Sequence, residues 1–136
     1  MISIGDDVVL APNVTILAHD ASSNVARCGT KLGKVSIGNN VFIGTRSVVL
    51  CNVRIGDNVV VGAGSVVSKD LPSDGVYAGV PAKRICSIQE YQEKLQGLGK
   101  IRPNFSEIRE WDTWRDSTED EREAMCRGLE DGIGFI

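Results

Sequence analysis

The stretch from Ile37 to Val49 reads IGNNVFIGTRSVV, and the stretch from Ile55 to Val67, eighteen positions later, reads IGDNVVVGAGSVV. Eight of the eighteen aligned positions of 37–54 and 55–72 are identical. A shorter period of six runs inside both copies. An aliphatic residue stands at 37, 43, 49, 55, 61 and 67, and glycine follows it at four of those six places. Hexapeptide repeats of this kind indicate a parallel β-helix.

The period of six predicts the geometry of each turn. Six residues form one short strand and a tight corner, so three hexads make a triangular turn, and successive turns stack about 4.8 Å apart. The aliphatic residue points inward, and the glycine after it suits a corner that needs unusual dihedral angles and no side-chain bulk. The pattern places Ile37 under Ile55 and Ser47 under Ser65. A β-sandwich is the alternative, but its strands alternate by two with turns roughly every 8–12 residues.

The repeat breaks once in its first half. It begins at Ile4 and is interrupted at Ala18-His19-Asp20. Residues 20–34 are polar, carry glycines and lack the period. They are predicted to form a loop extruded from the coil.

The second half of the repeat leads into an extension. The period resumes at Val35 and runs to about Leu71, after which residues 72–85 are expected to turn away from the coil. We therefore predict an all-β domain over 1–86, with the extruded loop, and a helical C-terminal extension over 87–136.

The extension has helix-start signals. Ser87-Ile88-Gln89-Glu90 is a capping box that opens a helix to about Gln96. Further short helices are predicted near 106–114 and 119–127, the second capped by Thr118-Glu119-Asp120-Glu121. Apolar residues in the extension predict that it packs against the coil or, less simply, against a partner. They are Phe105, Ile108, Trp111, Trp114, Met125 and Leu129.

Composition argues against several classes of protein. The net charge of -3 argues against nucleic-acid binding. No apolar run is long enough to span a bilayer, and the first residues do not resemble a signal peptide, so neither membrane insertion nor export is expected. The four cysteines lack Cys-x-x-Cys spacing, which fits a reduced, cytoplasmic chain without a metal site. They are Cys28, Cys51, Cys86 and Cys126.

Several segments taken together resemble one family. They are IGDDVVLAPNVT at 4–15, AHD at 18–20, IGNNVFIG at 37–44, GAGSVVSKD at 62–70 and AGVPAK at 78–83. This ordered set resembles the left-handed β-helix acetyltransferases of the maltose and galactoside O-acetyltransferase type, including the branch that acetylates surface polysaccharides. The resemblance covers residue 3 to about residue 86.

The resemblance implies a fold and an activity. It implies a left-handed coil and a homotrimer with the active site between neighbouring coils. The implied reaction moves an acetyl group from acetyl-CoA, without a metal, to a hydroxyl of a saccharide, either a surface polysaccharide or its precursor. Members of the family commonly have more chain before the first hexad, including residues that help to hold the acceptor.

The resemblance also implies site residues. The catalytic histidine of the family falls on His19. Phe42 stands where the family usually has tryptophan against the pantetheine and acceptor, and Thr45 falls near the reacting carbonyl. The remaining implied contacts with CoA are Ala63, Gly64, Ser68, Lys69, Lys83 and Arg84.

The residues themselves support a general base at His19. Acyl transfer to a hydroxyl needs a base that removes its proton, and histidine suits that task near neutral pH. His19 is the one histidine of the chain and lies at the break in the repeat. A lone histidine is otherwise a surface or structural residue. Cys28 is a candidate for a covalent route, although direct attack on the thioester is simpler, and Asp20 is a candidate to orient the imidazole.

A second set of groups is needed at the reacting carbonyl. Backbone amides near Gly44-Thr45 are candidates to stabilise the oxyanion, with Thr45 as an inert corner residue the alternative.

Other functions fit the repeat less well or remain open. A γ-type carbonic anhydrase needs three histidines around a metal, and this chain has one. A non-catalytic trimeric scaffold and a serine O-acetyltransferase-like enzyme remain alternatives, although the latter enzymes carry a large helical N-terminal domain. The sequence does not identify the acceptor.

Overall fold

The computed structural model describes residues 1–100, 118–130 and 132–133. The chain divides into two compact units, Met1–Tyr91 and Gln92–Ile136. The strands of the first unit are β1 Ile2–Ile4, β2 Val8–Leu10, β3 Thr15–Ile16, β4 His19–Asp20, β5 Lys31–Leu32, β6 Val35–Ile37, β7 Val41–Ile43, β8 Val48–Val49, β9 Arg54–Ile55, β10 Val59–Val61, β11 Val66–Val67, β12 Gly75–Ala78 and β13 Lys83–Ser87.

Strands from successive turns stack into three sheets. The first sheet has the order β1-β6-β9, the second β2-β7-β10-β12-β13 and the third β3-β8-β11, and all neighbours are parallel except β12 and β13. Each sheet takes one strand from each of the first three turns. Ile37 pairs with Ile55, as the repeat predicts. The chain is therefore a parallel β-helix of hexapeptide repeats.

The core lies inside the coil. Every hexad-opening residue from 37 to 67 is buried, with at most 4% of its surface exposed, and so are the residues at the fifth place of those hexads. Ser47 and Ser65 are fully buried, and the Ser65 amide donates to the Ser47 hydroxyl at 3.3 Å. The predicted stacking of these two serines is confirmed. Ile4, which pairs with Ile37, stays 48% exposed because it belongs to the end turn.

Of the two reasons predicted for the repeat glycines, the lack of side-chain bulk is confirmed and the unusual dihedral angle is wrong. None of the glycines that follow the aliphatic residues has a positive φ; left-handed corners are formed instead by residues such as Asn40 and Asn58, with φ of 52° and 53°. A Cβ on Gly44 would lie 2.5 Å from the Ala63 nitrogen of the next turn. The glycines are needed because stacked backbones approach closely. Asparagine tolerates the left-handed conformation, and Asn40 Nδ2 also donates to Asn58 Oδ1 at 2.9 Å.

The extruded segment is more regular than predicted. Ile4 pairs with Ile37, 33 positions on, whereas Ile37 pairs with Ile55, 18 positions on, so the first turn holds fifteen extra residues. The insertion starts and ends with the antiparallel pair β4–β5, which encloses a 3-10 helix, Ala21–Ala26. Asp20 caps that helix by accepting the Ser22 amide at 2.8 Å.

The coil also extends further than predicted. Val59 of β10 pairs in parallel with Gly75 of β12, which starts a fourth turn, and the chain then reverses into β13. The expectation that residues 72–85 turn away from the coil is wrong for 75–78. The spacing between Val59 and Gly75 is 16 rather than 18, so the hexad period hides this strand.

Two helices follow. Helix α1 spans Ile88–Gly99, and Ser87 and Glu90 form the predicted capping box, with Glu90 accepting the Ser87 amide at 2.7 Å. Helix α2 spans Glu119–Gly128 and has a capping box between Thr118 and Glu121. The helix predicted near 106–114 falls outside the described residues. Among those residues, no helix has the length and apolar character needed to cross a membrane.

Candidate active site

Three of the expected site residues lie on one edge of the coil. Thr45 and Ala63 occupy equivalent positions of successive turns, and the Gly64 amide donates to the Thr45 carbonyl at 2.8 Å. The Thr45 hydroxyl donates to the Pro12 carbonyl at 2.7 Å in the turn below. The hydroxyl therefore links two turns, which gives Thr45 a structural contact in this chain.

Phe42 lies on the sheet beside that edge. It is 43% exposed between the buried residues Val41 and Ile43, so its ring is on the outer face. The register aligns Val9, Phe42, Val60 and Val76 across four strands. We call these four residues the apolar column. Val9 is 52% exposed, so the column presents apolar surface to solvent.

His19 begins the extruded segment. His19 pairs with Leu32 across the β4–β5 hairpin, and its side chain is exposed. The Gly33 amide donates to the Ala18 carbonyl at 3.0 Å, which closes the base of the hairpin just before His19. The backbone that carries the imidazole is therefore held by a hydrogen bond, and the imidazole itself is accessible to a substrate.

Asp20 is engaged away from His19. Lys31 Nζ lies 2.5 Å from Asp20 Oδ2, while Oδ1 accepts the Ser22 amide. The hydrogen bond from Lys31, followed by those from Ser22, holds the pKa of Asp20 well below its usual range, and Asp20 raises the pKa of Lys31. Both carboxylate oxygens have partners in the hairpin, so these contacts do not support the idea that Asp20 orients the imidazole. Sequence reasoning missed Lys31, because pairing across an aperiodic segment leaves no pattern to read.

The other residues expected to contact CoA, Ser68 and three basic residues, fall in two places. Ser68 and Lys69 directly follow β11 and are exposed. Lys83 and Arg84 are exposed on β13 at the edge of the second sheet, and an Arg84 guanidinium nitrogen donates to the Asp74 carbonyl at 3.4 Å.

The third sheet separates these groups within one chain. Ile16, Val49 and Val67 are paired across it. His19 and Ser68 therefore follow the sheet at one end, whereas Thr45 and Ala63 precede it at the other. Within the described residues of one chain, the catalytic candidate and the Thr45 edge therefore lie at opposite ends of this sheet.

A cleft lies beside the hairpin at the His19 end. Its volume is about 650 Å³, and it is lined by Leu17, Leu50 and Ser68 on the side of the third sheet and by Asp20, Lys31 and Leu32 of the hairpin. We call it the hairpin cleft. Within the described residues, no three His, Cys, Asp or Glu side chains form a group that would hold a metal ion.

The stacked turns define a hexapeptide-repeat β-helix protein. Residues 34–69 match the family model described as bacterial transferase hexapeptide (six repeats). The chain is 44% identical over 99 residues to Protein CapG of Staphylococcus aureus. That alignment covers 70% of this chain and 58% of CapG.

Solved structures give the same result. A galactoside acetyltransferase in complex with coenzyme A is similar with a TM-score of 0.62 and 41% identity, covering 68% of this chain and 48% of that chain. A variant of AntD, an N-acyltransferase from Bacillus cereus in complex with dTDP and coenzyme A, has a TM-score of 0.58 and 29% identity, covering 71% of this chain and 60% of that chain. The expected resemblance to hexapeptide-repeat acetyltransferases is confirmed. The chain spans about half the length of the curated relatives that it matches.

Proposed function

We propose that this chain transfers an acetyl group from acetyl-CoA to a hydroxyl of a saccharide, with His19 as general base. The observation that carries the proposal is the position of His19, exposed where the hairpin leaves a coil that is similar to a galactoside acetyltransferase with coenzyme A bound. We assign this function to residues 1–86 and give the extension, 87–136, no catalytic role. The left-handed sense of the coil is part of the same proposal.

The chemistry follows from the base. The His19 imidazole removes the proton of the acceptor hydroxyl as its oxygen attacks the thioester carbonyl. The tetrahedral intermediate carries a negative charge on the former carbonyl oxygen, and backbone amides near Thr45 are the candidates to stabilise it. Collapse of the intermediate breaks the carbon–sulfur bond, and the departing sulfur takes the proton held by the His19 imidazolium, so that CoA leaves as its thiol. The acetyl ester of the saccharide remains.

Acetyl-CoA is proposed to bind along the surface between the two ends of the third sheet, where the separated candidate residues lie. In this proposal Phe42 and Thr45 lie near the pantetheine arm and the thioester. The other contacts are Ala63, Gly64, Ser68, Lys69, Lys83 and Arg84. Cationic side chains bind phosphate through charge-assisted hydrogen bonds, which supports a phosphate-binding role for the three basic residues.

A homotrimer would complete the site. The apolar column exposes Val9 and Phe42, and contiguous apolar surface of this kind marks interaction sites. A neighbouring copy over the column would bring a second hairpin towards the Thr45 edge of the first. Multi-angle light scattering of the full chain tests this, and a monomer at working concentration would contradict it.

The acceptor class has two candidates. A saccharide hydroxyl, in a surface polysaccharide or its precursor, is the first, and the loop 20–34 is proposed to select it because the coil does not need this loop for its core. An amino group of a nucleotide-linked sugar is the second. The similarity to an N-acyltransferase with dTDP and coenzyme A bound supports that alternative.

Steady-state kinetics with acetyl-CoA and a panel of neutral sugars and amino sugars tests the proposal. We expect His19→Ala to lower turnover by about 10²–10⁴-fold while CoA affinity, measured by titration calorimetry, changes little. A mutant that keeps most of its activity would show that His19 is structural. Absence of both CoA binding and transfer would favour the non-catalytic scaffold.

A further inference from the structure

The outer face of the first sheet differs from that of the second. Ser36 lies between the buried residues Val35 and Ile37 on β6, so its side chain points out of the coil. Arg54 of β9 pairs with Ser36 in parallel register and is exposed on the same outer face. The second sheet carries the apolar column on its outer face, whereas the first sheet presents a hydroxyl and a guanidinium there. The first sheet therefore offers a polar surface to a ligand.

A depression with a volume of about 300 Å³ lies on this face, and we call it the first-sheet depression. Its lining consists of Lys34, Ser36, Asn52, Val53, Arg54 and Asp70. Four of these side chains carry hydrogen-bond donors. Among the described residues, none of the four has a hydrogen-bond or ion-pair partner; they are Lys34, Ser36, Asn52 and Arg54.

The charges of the lining do not cancel. Lys34 and Arg54 contribute two positive charges, and Asp70 contributes one negative charge. The Asp70 carboxylate accepts the Arg54 backbone amide at 2.8 Å, so it holds two turns together, and within the described residues it forms no ion pair with either cation. The depression thus has donors and positive charge in excess, which suits an oxyanion.

Phosphate is the oxyanion that makes the fullest use of this lining. A guanidinium binds phosphate through two parallel hydrogen bonds, and an ammonium binds it as a point charge. A phosphate monoester has three terminal oxygens, which leaves acceptors for the Ser36 hydroxyl and the Asn52 amide as well. The volume is at the lower end of the range of ligand sites, about 300–1,000 Å³, which suits a phosphorylated sugar better than a whole nucleotide.

We propose that the first-sheet depression binds the phosphate group of a phosphorylated sugar, and that this sugar is the acceptor. The depression shares Asn52 with the hairpin cleft, whose lining includes Asp20, the neighbour of His19 on β4. One molecule then carries both the bound phosphate and the hydroxyl that His19 deprotonates. The role of the sugar as acceptor rests on the proposed function, whereas phosphate binding is measured without any transfer.

Titration calorimetry of the full chain with inorganic phosphate, galactose 1-phosphate, galactose and CoA tests the site. Arg54→Gln removes a positive charge from the lining, and Ser36→Ala removes a hydroxyl. Ser3→Ala is the matched control for the second variant, because Ser3 pairs with Ser36 on the same sheet and does not line the depression. Thermal unfolding of each variant verifies that it is folded.

A third variant should strengthen binding, which loss of structure would not do. Asp70→Asn removes the negative charge and keeps a side-chain oxygen for the Arg54 amide. Asp7→Asn is the control with the same change of net charge, because Asp7 is exposed, lies outside the lining and has a φ of 53° that asparagine accepts.

Galactose 1-phosphate should bind about tenfold more tightly than galactose or better, because hydrogen bonds to a charged group are strong. Arg54→Gln should weaken its binding roughly fivefold to tenfold, and Ser36→Ala roughly twofold to fivefold. Asp70→Asn should tighten it about threefold, since a like charge near the phosphate is removed. Both control variants should leave the affinity unchanged.

Three results would overturn the phosphate site: no binding of inorganic phosphate or galactose 1-phosphate, equal affinities for galactose and its phosphate, or equal effects of Asp70→Asn and Asp7→Asn. If Arg54→Gln weakened CoA binding as much as galactose 1-phosphate binding, the depression would belong to the phosphates of CoA and the proposal would be wrong. Arg54-dependent binding of galactose 1-phosphate without acetyl transfer would overturn the transferase function and keep the phosphate site. Equal kcat/KM for galactose and galactose 1-phosphate would do the reverse.

Discussion

Ser65 lies directly over Ser47 in the core, and the two hydroxyls converge on one carbonyl. The Ser65 amide donates to Ser47 Oγ at 3.3 Å, and the hydroxyls of Ser47 and Ser65 donate to the Gly62 carbonyl at 3.0 and 2.6 Å. The Gly79 amide donates to Ser65 Oγ at 3.1 Å, which carries the chain of contacts into the last turn. A coil whose other buried core side chains are aliphatic, apart from Tyr77, thus holds a pair of stacked serines with their hydrogen bonds made, which we call the polar column.

Replacing Ser47 by alanine should therefore destabilise the coil. The variant removes the acceptor of the buried Ser65 amide, and a buried donor left without a partner costs about 1–3 kcal/mol. We expect the free energy of unfolding, measured by urea denaturation of the full chain, to fall by that amount.

Ser3→Ala provides the control for this measurement. Ser3 lies on β1 and is exposed, so its loss should change the unfolding free energy by less than about 0.5 kcal/mol. Equal stabilities of the Ser47 and Ser3 variants would show that the polar column contributes nothing.

Gly44→Ala should destabilise the stack by a different route. A Cβ at this position would lie 2.5 Å from the nitrogen and 2.8 Å from the Cα of Ala63, both backbone atoms of the next turn. The turns would have to separate locally, and such overpacking typically costs about 1–3 kcal/mol. Thermal unfolding followed by circular dichroism measures the loss.

Gly97→Ala is the matched glycine control and should act in the opposite direction. Gly97 lies inside α1, and a Cβ there would meet no atom within 4 Å. Alanine favours a helix interior over glycine by about 0.8–1 kcal/mol. A stabilised Gly44 variant, or two glycine variants with the same sign, would contradict the close-approach explanation.

The repeat predicts the coil because one physical requirement recurs every six residues. Each inward position must hold an apolar or small side chain, so Ile37 and Ile55 identify the register before any contact is known, and the structure pairs them. The same reasoning gave two reasons for the glycines, of which the lack of side-chain bulk is confirmed and the unusual φ is wrong. A sequence shows that a side chain is missing, but it does not distinguish an unusual φ from a close neighbour.

The parts of the structure that could not be predicted from the sequence lie where the hexapeptide period is absent or broken. The hairpin that aligns Asp20 with Lys31 lies inside an aperiodic insertion, so no pattern fixes its antiparallel register. The fourth turn pairs Val59 with Gly75 after 16 positions, which breaks the hexad count. The candidate site residues are divided between the two ends of the third sheet, and the proposal that a homotrimer joins them comes from the family resemblance rather than from the period.

The ion pair at the hairpin base should hold the loop closed over a wide pH range. Because Lys31 lowers the pKa of Asp20, the carboxylate's contribution is complete above its ordinary pKa, about 4, and is lost as the pH falls further. In Lys31→Met we expect the Gly33 amide, which donates to the Ala18 carbonyl, to exchange with deuterium roughly twofold to fivefold faster. The difference from wild type should be equal at pH 8 and pH 5 and shrink below about pH 4.

Lys31→Arg separates charge from side-chain identity in that experiment. Arginine also pairs with a carboxylate, so the Gly33 amide should keep most of its wild-type protection. Faster exchange in the arginine variant, or a difference from wild type that grows towards acid pH, would show that the ion pair is not what closes the hairpin.

Lys83 should contribute to CoA binding through the phosphates. Lys83 is exposed on β13 and pairs with Ala78 through its backbone. Lys83→Ala therefore removes the charge without removing the strand pairing. A hydrogen bond to a charged phosphate supports an expected loss of roughly tenfold in CoA affinity. Because salt screens such contacts, wild-type affinity should fall between low and physiological ionic strength, and that of the variant should fall less. Lys94→Ala, an exposed lysine on α1, is the charge-matched control and should leave both affinity and salt dependence unchanged. The measurement is titration calorimetry of wild type and both variants with CoA. Equal losses of affinity in the two lysine variants would show that the effect comes from net charge and that Lys83 does not contact CoA.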